Sequence, residues 1–361
     1  MTGAKTATVM FAGHRFRAVT DVAFYATQER YLRAFVPEHQ LAPPCGEKTT
    51  VRIRHDADSF QNRMARAAGA PSLTVVPFRG EPYRSCQLEQ ITWWRPGPDT
   101  HLPQDHLYAR DAAGRLSVLL NPGAVRGERY LMRVVREVVM RCAENRGLTS
   151  FHAAAAAIDD HGVLIAAPSG AGKTTVLTAL AAHHRADLIA SDRALITADA
   201  SAVAGVPISV RIGGGTLSAV ARREGLPNPH TLPDAFGSTR KAALTPREFA
   251  RAFSSRVQET APLRLVVIPQ LREEDHRLRS RVLGAAQART TLSTACCTPY
   301  DEDWREPWFA VRTRPVDDLA RRAAAVIESL IATVPVLAIT AGVHSPDLLE
   351  RIADTVTGRL L

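Results

Sequence analysis

The chain has 361 residues, of which 45% are hydrophobic, and its formal net charge is +9. This length predicts two domains, or one large domain with an appendage, and the hydrophobic content excludes wholesale disorder. The basic residues are spread along the chain without a run of five, so we expect no nucleic-acid partner.

The cysteines are odd in number and form no Cys-x-x-Cys pair, which argues against a disulfide framework and against a cysteine zinc site. They are Cys45, Cys86, Cys142, Cys296 and Cys297. The apolar run at residues 7–12 is too short for a signal peptide, and no uncharged apolar stretch approaches the thickness of a bilayer. We therefore expect a soluble, cytoplasmic protein with no membrane partner.

Residues 1–125 have the pattern of a smaller α+β domain. Short alternating or β-branched runs predict strands, and residues 106–110 with 115–120 predict a hairpin. The other predicted strands lie at 8–11, 50–54, 73–78 and 86–94, and the predicted helices lie at 21–35 and 58–68. No constellation of catalytic side chains occurs in this part, so we expect it to recognise a substrate or a partner.

The second predicted domain spans residues 126–361 and follows the turn sequence Asn121-Pro122-Gly123. It opens with an amphipathic helix, because the apolar residues between 131 and 142 recur at helical spacing. We expect this helix to pack on the sheet of the second domain. The whole chain is thus predicted to belong to the α/β class.

A glycine-rich segment, Ala-Pro-Ser-Gly-Ala-Gly-Lys-Thr-Thr at residues 167–175, lies between a predicted strand at 162–166 and a predicted helix from 174. This context favours a P-loop that binds a nucleotide, although the first position is Ala167 rather than glycine. Gly170 and Gly172 permit a positive φ, which brings backbone N–H groups close to phosphate oxygens. The candidate nucleotide-binding residues are Ser169, Gly170, Ala171, Gly172, Lys173, Thr174 and Thr175.

The residue types around this loop assign roles in phosphoryl transfer. Lys173 would reach the β- and γ-phosphates, and the Thr174 hydroxyl would bind Mg²⁺. A predicted strand at 188–192 ends in Asp192, which could hold Mg²⁺ or accept the proton of an attacking hydroxyl. A tight turn at 159–162 would set His152 beside the end of the P-loop strand. We therefore expect Asp192, His152 and Lys173 to be catalytic, and ATP and Mg²⁺ to be the cofactors.

Two further basic residues are candidates for contacts with a substrate or a phosphate. Arg193 follows Asp192 directly, and could pair with it or with an acidic substrate. Arg211 and the glycines at 213–215 predict a mobile basic loop after a strand at 206–210, and this loop could close over a phosphate.

The arrangement resembles the HPr kinase/phosphorylase family and its stand-alone relatives in modified-peptide biosynthesis, and more distantly the P-loops of phosphoenolpyruvate carboxykinases. His152 lies 21 residues before Lys173, as the family's histidine does, and residues 162–165 and 169–174 match the family pattern in register. The family has two acids after the next strand, whereas this chain has Ser191 and Asp192. The resemblance implies a kinase domain of this type and an oligomer.

The resemblance extends more loosely over residues 240–358. Arg240 and Lys241, which are further candidates for substrate or phosphate contacts, precede a helix that begins at Thr245-Pro246. The later predicted elements are a strand at 265–269, a helix at 317–331, a strand at 334–339 and a helix from 346.

Four functions are compatible with these residues. The first is transfer of the γ-phosphoryl group of ATP to a Ser or Thr hydroxyl of a peptide or protein, and the second is transfer to a small molecule such as an amino acid, sugar or nucleoside. The third is an ATP-binding switch without catalysis. The fourth, a transport-type ATPase, is disfavoured because the chain has no Leu-Ser-Gly-Gly-Gln sequence and the strand at 265–269 is not followed by Asp-Glu.

Overall fold

A computed structural model of the chain describes residues 4–21, 24–38, 48–220, 223–233, 235–274 and 277–360. The structure belongs to the mixed α/β class and divides into two compact units. The first unit contains Met1–Arg33, Gln40–Asn145 and Tyr300–Thr313, and the second contains Ala34–His39, Arg146–Pro299 and Arg314–Leu361. No helix in the described ranges is long and apolar enough to span a bilayer.

The first unit is built on an eight-stranded sheet. Its elements are β1 (Lys5–Phe11), β2 (His14–Thr20), α1 (Tyr25–Arg33), β3 (Lys48–His55), α2 (Ala57–Gly69), β4 (Leu73–Phe78), β5 (Glu81–Leu88), β6 (Ile91–Pro96), β7 (His106–Arg110), β8 (Leu116–Leu120) and α3 (Glu128–Asn145). The strand order is β1-β2-β3-β8-β7-β6-β5-β4. The predicted hairpin of β7 and β8 is confirmed.

Two predictions about this part of the chain are wrong. The single strand predicted at 86–94 is a hairpin, because Glu89 and Gln90 both take a positive φ and reverse the chain between β5 and β6. Helix α3 belongs to the first unit, where it contacts β2 and β3. The longest part of the second unit therefore begins after Asn145 and not at the predicted boundary of 125/126, and residues 300–313 return to the first unit.

Segment 300–313 joins the first unit although it is distant in sequence. Arg141 of α3 is buried, and it pairs with Glu137 at 3.0 Å and with Glu144 at 3.2 Å. Glu144 also pairs with Arg312 at 2.8 Å, and Arg141 donates a hydrogen bond to the carbonyl oxygen of Trp304. This buried ionic cluster connects α3 to segment 300–313.

The second unit contains the remaining elements. They are β9 (Thr149–Ile158), β10 (His161–Ala166), α4 (Lys173–His184), β11 (Asp187–Ala190), β12 (Arg193–Ile196), β13 (Ala202–Gly205), β14 (Val210–Ile212), α5 (Gly214–Ala219), β15 (Ala242–Leu244), α6 (Pro246–Ala252), β16 (Thr260–Arg272), β17 (Arg279–Val282), α7 (Ala285–Ala295), α8 (Val316–Thr333), β18 (Val336–Gly342) and α9 (Leu348–Leu360). A short 3-10 helix lies at Pro229–Thr231.

Two long strands, β9 and β16, organise the sheet of the second unit. The first half of β9 pairs with β12, and its second half pairs with β10 and β11. Strand β16 pairs first with β13, then with β10 and β18 in parallel. Because β10, β16 and β18 are parallel, their carboxyl ends lie at one edge of the sheet, which is where ligands bind in open α/β sheets.

The two faces of this sheet pack against different helices. Residues of α4 and α9 join one apolar cluster, which includes Val176, Leu180 and Ile352. Residues of α7 and α8 join the other, which includes Leu292 and Val326. The sheet is thus covered on both faces, as buried parallel strands require.

Other predictions for the second unit have mixed outcomes. Helix α6 is confirmed, and Thr245 and Glu248 form a reciprocal capping box at its start. The mobile loop predicted around 213–215 is wrong, because Arg211 lies in β14, paired with β15, and the glycines at 214 and 215 begin α5. The strand predicted at 188–192 ends at Ala190, so Ser191 and Asp192 form the connection from β11 to β12.

Of the five cysteines, Cys45 lies outside the described residues. No disulfide joins the four described cysteines, of which Cys86, Cys142 and Cys297 are buried and Cys296 is partly buried.

Candidate functional site

The glycine-rich loop, residues 167–172, connects β10 to α4 at the carboxyl edge of the sheet. Gly170 has φ = 83° and Gly172 has φ = 107°, which confirms that both glycines take a positive φ. Gly172 is the N-cap of α4, and no side chain caps the helix there. The N–H groups at the start of α4 therefore point to the loop with a partial positive charge, as an anion site requires.

Strand β16 holds the glycine-rich loop from the side. The Leu271 N–H donates a hydrogen bond to the carbonyl oxygen of Ala171 at 3.1 Å. A Cβ at Gly172 would lie only 2.6 Å from Cγ and Cδ1 of Leu271, whereas a Cβ at Gly170 would meet no atom within 4 Å. Glycine at 172 is therefore required both by its φ and by the packing of Leu271.

Lys173 is buried, and its side chain folds over the same loop. Its Nζ donates hydrogen bonds to the carbonyl oxygens of Ala167 at 2.7 Å and Pro168 at 3.1 Å. The ammonium group is thus held against the loop whose N–H groups would surround a phosphate. In the first turn of α4, the hydroxyl of Thr175 forms a hydrogen bond with the hydroxyl of Thr216 in α5 at 2.9 Å.

His152, Asp192 and Arg193 meet beside the glycine-rich loop. Within the β9–β10 hairpin, Ala153 pairs with Ala166, so His152 is adjacent to the point where the loop begins. Arg193 of β12 pairs with His152 across the strands, which brings His152 Nε2 to 3.3 Å from Asp192 Oδ1. The other carboxylate oxygen of Asp192 accepts a hydrogen bond from Arg193 Nη1 at 2.6 Å.

The Asp192 carboxylate is kept ionised by its surroundings. Burial raises the pKa of this carboxyl, but the contact with His152 and the positive charges of Arg193 and Lys173 outweigh burial and hold the pKa well below its ordinary value. The influence of Lys173 ties the cluster electrostatically to the glycine-rich loop. The side chain remains 36% exposed, so solvent reaches the carboxylate and screens these interactions.

Ser191 occupies the position where the resembled family has an acid. Its hydroxyl donates hydrogen bonds to the carbonyl oxygens of Ile208 at 3.1 Å and Ser209 at 3.3 Å, and the residue is buried. An ionised carboxylate has no proton to donate and would repel both carbonyl oxygens. Ser191 therefore holds the chain before β14, which is a role that an aspartate there could not perform.

Among the other basic candidates, Lys241 interacts electrostatically with both Arg211 and Asp192. Burial and the charge of Arg211 lower the pKa of the half-buried Lys241, whereas the charge of Asp192 raises it. The exposed Arg211 also donates a hydrogen bond to the carbonyl oxygen of Thr239 at 3.3 Å. Arg240 is exposed, and its backbone N–H donates to the Ser238 hydroxyl.

The donor set of the site suits a nucleotide with Mg²⁺. Two positive-φ glycines and an uncapped helix N-terminus would surround phosphate oxygens, with Lys173 against them. The Thr174 hydroxyl and the Asp192 carboxylate are oxygen ligands of the kind that Mg²⁺ takes alongside phosphates and water. No group of three or more His, Cys, Asp or Glu side chains that could hold a metal by itself occurs in the described ranges.

Sequence reasoning missed Leu271 and Thr216, which fix the glycine-rich loop and the first turn of α4. Neither belongs to a local motif, because Leu271 of β16 and Thr216 of α5 are brought there by tertiary packing. The one available indication was that a strand was predicted close to Leu271.

No protein-family profile and no curated protein matches this chain.

Proposed function

We propose that this protein is an ATP-dependent kinase that transfers the γ-phosphoryl group to a hydroxyl, most readily that of a Ser or Thr residue in a peptide or protein. The observation that carries the proposal is the cluster of His152, Asp192 and Arg193 at the start of the glycine-rich loop. A loop that only binds phosphates needs no such cluster. An ionised carboxylate beside the glycine-rich loop, however, supplies a base that can take the proton of an acceptor hydroxyl.

In the proposed reaction the chain positions the reactants and neutralises charge. The N–H groups of the glycine-rich loop hold the phosphates, and Lys173 turns from the loop carbonyls towards the β- and γ-phosphate oxygens. Asp192 orients the acceptor hydroxyl and takes its proton as the oxygen attacks the γ-phosphorus, while the bond from that phosphorus to the bridging oxygen breaks and ADP leaves. A carboxylate with a low pKa suffices, because the transition state of phosphoryl transfer is loose and the proton leaves late.

His152 and Arg193 act on Asp192 rather than on the phosphate. Arg193 fixes one carboxylate oxygen, and His152 contacts the other, so the carboxylate is held in one orientation. Thr174 and Asp192 would hold Mg²⁺, which would supply charge neutralisation at the phosphates. Arg211 and Lys241 supply positive charge where the acceptor would bind, and the charge of Asp192 raises the pKa of Lys241.

Binding and transfer are tested separately with two variants. Lys173→Ala should weaken binding of a fluorescent ATP analogue by about tenfold or more, because a hydrogen bond to a charged group contributes about 1.5–3 kcal/mol. Asp192→Asn should bind the analogue normally in the absence of Mg²⁺, and with Mg²⁺ present it should slow transfer by about a hundredfold or more. Asp354→Asn on the exposed side of α9 is the matched control, and both properties should stay at wild-type levels.

The acceptor is tested with γ-labelled ATP, Mg²⁺ and a randomised peptide library that contains Ser and Thr, against the same library with Ala at those positions. Label should enter only the first library. Label found instead on a panel of free amino acids, sugars or nucleosides would replace the peptide acceptor by a small molecule. Binding of ATP with no transfer to either would contradict the kinase proposal and leave the ATP-binding switch.

A further inference from the structure

A basic groove of about 1040 Å³ lies in the second unit, on the α7 side of the sheet. Its lining carries four arginines, Arg272, Arg277, Arg279 and Arg281, and no carboxylate among the described residues. Glu273 and Glu274 belong to the connection between β16 and β17 but do not line the groove. The groove is therefore a concave surface on which positive charge is concentrated.

The strand register arranges the floor of the groove in rows. Gln270, Thr340 and Arg279 align across β16, β18 and β17, and the next row contains Ile268, Ala338 and Arg281. Because side chains alternate across a strand, Arg279 and Arg281 lie on the same face, about 7 Å apart along β17. Gln287 of α7 accepts a hydrogen bond from Arg281 at 2.7 Å and closes one side.

Strand β17 lies at the edge of the sheet. In the described part of the chain its only strand partner is β18, and its residues are all exposed. An edge strand offers backbone N–H and C=O groups to an added strand, and this is one established way in which proteins bind extended peptides. The groove thus combines a backbone template with paired positive charges.

We propose that this groove binds an extended acidic peptide, which adds to β17 as a strand and pairs carboxylates with Arg279 and Arg281. A peptide with an acidic residue at every second position repeats its carboxylates at the spacing of these two arginines. A single-stranded nucleic acid is the less suitable polyanion, because the described lining has no aromatic side chain on which bases could stack. The binding is independent of the proposed kinase reaction.

The test measures fluorescence anisotropy of a labelled octapeptide of alternating Glu and Thr with the full chain. The wild-type protein should bind it at least about tenfold more tightly than the same peptide with Gln for Glu. The double variant Arg279→Ser/Arg281→Ser should bind the acidic peptide about twofold to thirtyfold more weakly, as two exposed ion pairs would contribute. In an added strand, only every second N–H group of the peptide faces β17. Methylating the nitrogens of one alternate set of residues should therefore abolish binding, and methylating the other set should not.

The matched control is Arg351→Ser/Arg359→Ser on α9, which removes the same charge from exposed positions on the other face of the sheet. It should bind like the wild type, and so should Lys173→Ala, which separates this proposal from the kinase proposal. Equal loss in the α9 variant, no loss in the β17 variant, or no effect of nitrogen methylation in either set would overturn the proposal. Tighter binding of octathymidylate than of the acidic peptide would overturn it in favour of a nucleic acid.

Discussion

At the scale of single residues, Asp192 is the most strongly perturbed group of the candidate site. Its folded pKa lies below the ordinary value because His152, Arg193 and Lys173 together outweigh burial. A carboxyl group whose pKa is lowered on folding stabilises the folded state at pH values above its unfolded pKa. That contribution is lost as the pH falls towards the folded pKa.

We therefore expect the free energy of unfolding to fall below about pH 4, the ordinary range of an Asp carboxyl. Part of this fall should be absent in Asp192→Asn, which cannot be protonated in this window. Chemical denaturation between pH 7 and pH 2.5 measures both proteins. Parallel curves for the two proteins would show that solvent screening at this partly exposed side chain cancels the effect.

The Ser191 hydroxyl donates hydrogen bonds that an acidic side chain at this position could not donate. Ser191→Ala removes a donor to the carbonyl oxygens of Ile208 and Ser209 and should cost about 1 kcal/mol of stability. Ser191→Asp should cost more, because a carboxylate would face both oxygens. Urea unfolding measures the free energy of unfolding of the two variants. A Ser191→Asp variant more stable than Ser191→Ala would contradict this expectation.

At the scale of elements, the glycine-rich loop is fixed by strand β16 as well as by its own sequence. Leu271 donates to the loop through its backbone and fills the space beside Gly172 with its side chain. The loop conformation therefore depends on an element far away in sequence. Its two glycines are not equivalent, since only Gly172 lies against another side chain.

Gly172→Ala should destabilise the protein by about 1–3 kcal/mol, since it adds a clash with Leu271 to a positive φ. Gly170→Ala is the matched control: it has the same kind of φ but open space, and should cost about 1 kcal/mol. Thermal denaturation compares them, and a nucleotide-binding assay should show the larger loss for Gly172→Ala. Equal stability of the two variants would show that Leu271 moves aside freely.

At the scale of the whole molecule, segment 300–313 belongs to the first compact unit, although it follows most of the second unit in the sequence. The buried Arg141 satisfies two carboxylates of α3 and a carbonyl oxygen of Trp304, and the Trp308 N–H donates to Glu137. These contacts stabilise the first unit by joining two parts of the chain that lie far apart in sequence.

Arg141→Met should cost about 3–5 kcal/mol, because Glu137 would remain buried without its counter-charge and Glu144 would keep only its pair with Arg312. Arg129→Met changes an exposed arginine of the same helix and should alter stability by no more than about 0.5 kcal/mol. Guanidinium denaturation measures both, and limited proteolysis should cut segment 300–313 faster in Arg141→Met. A small loss in Arg141→Met would mean that the carboxyl groups take up protons at little cost.

The features that could be predicted from sequence depend on a few neighbouring residues. The positive φ of Gly170 and Gly172, the start of α6 at Thr245-Pro246 and the hairpin of β7 and β8 are all local, and the structure confirms them. Turn chemistry also explains the missed hairpin of β5 and β6, where Glu89 and Gln90 adopt a conformation that neither residue type favours.

The sequence by itself determined the α/β class, the positive φ of Gly170 and Gly172, and the residue types around the glycine-rich loop. The tertiary structure decided which side chains meet there: the register of β9 with β12 brings His152 to Asp192, and β16 brings Leu271 to Gly172. It also decided that α3 belongs to the first unit and that Ser191 donates hydrogen bonds. The physical reason is that backbone conformation follows from local sterics, whereas these contacts depend on strand order and burial across the whole chain.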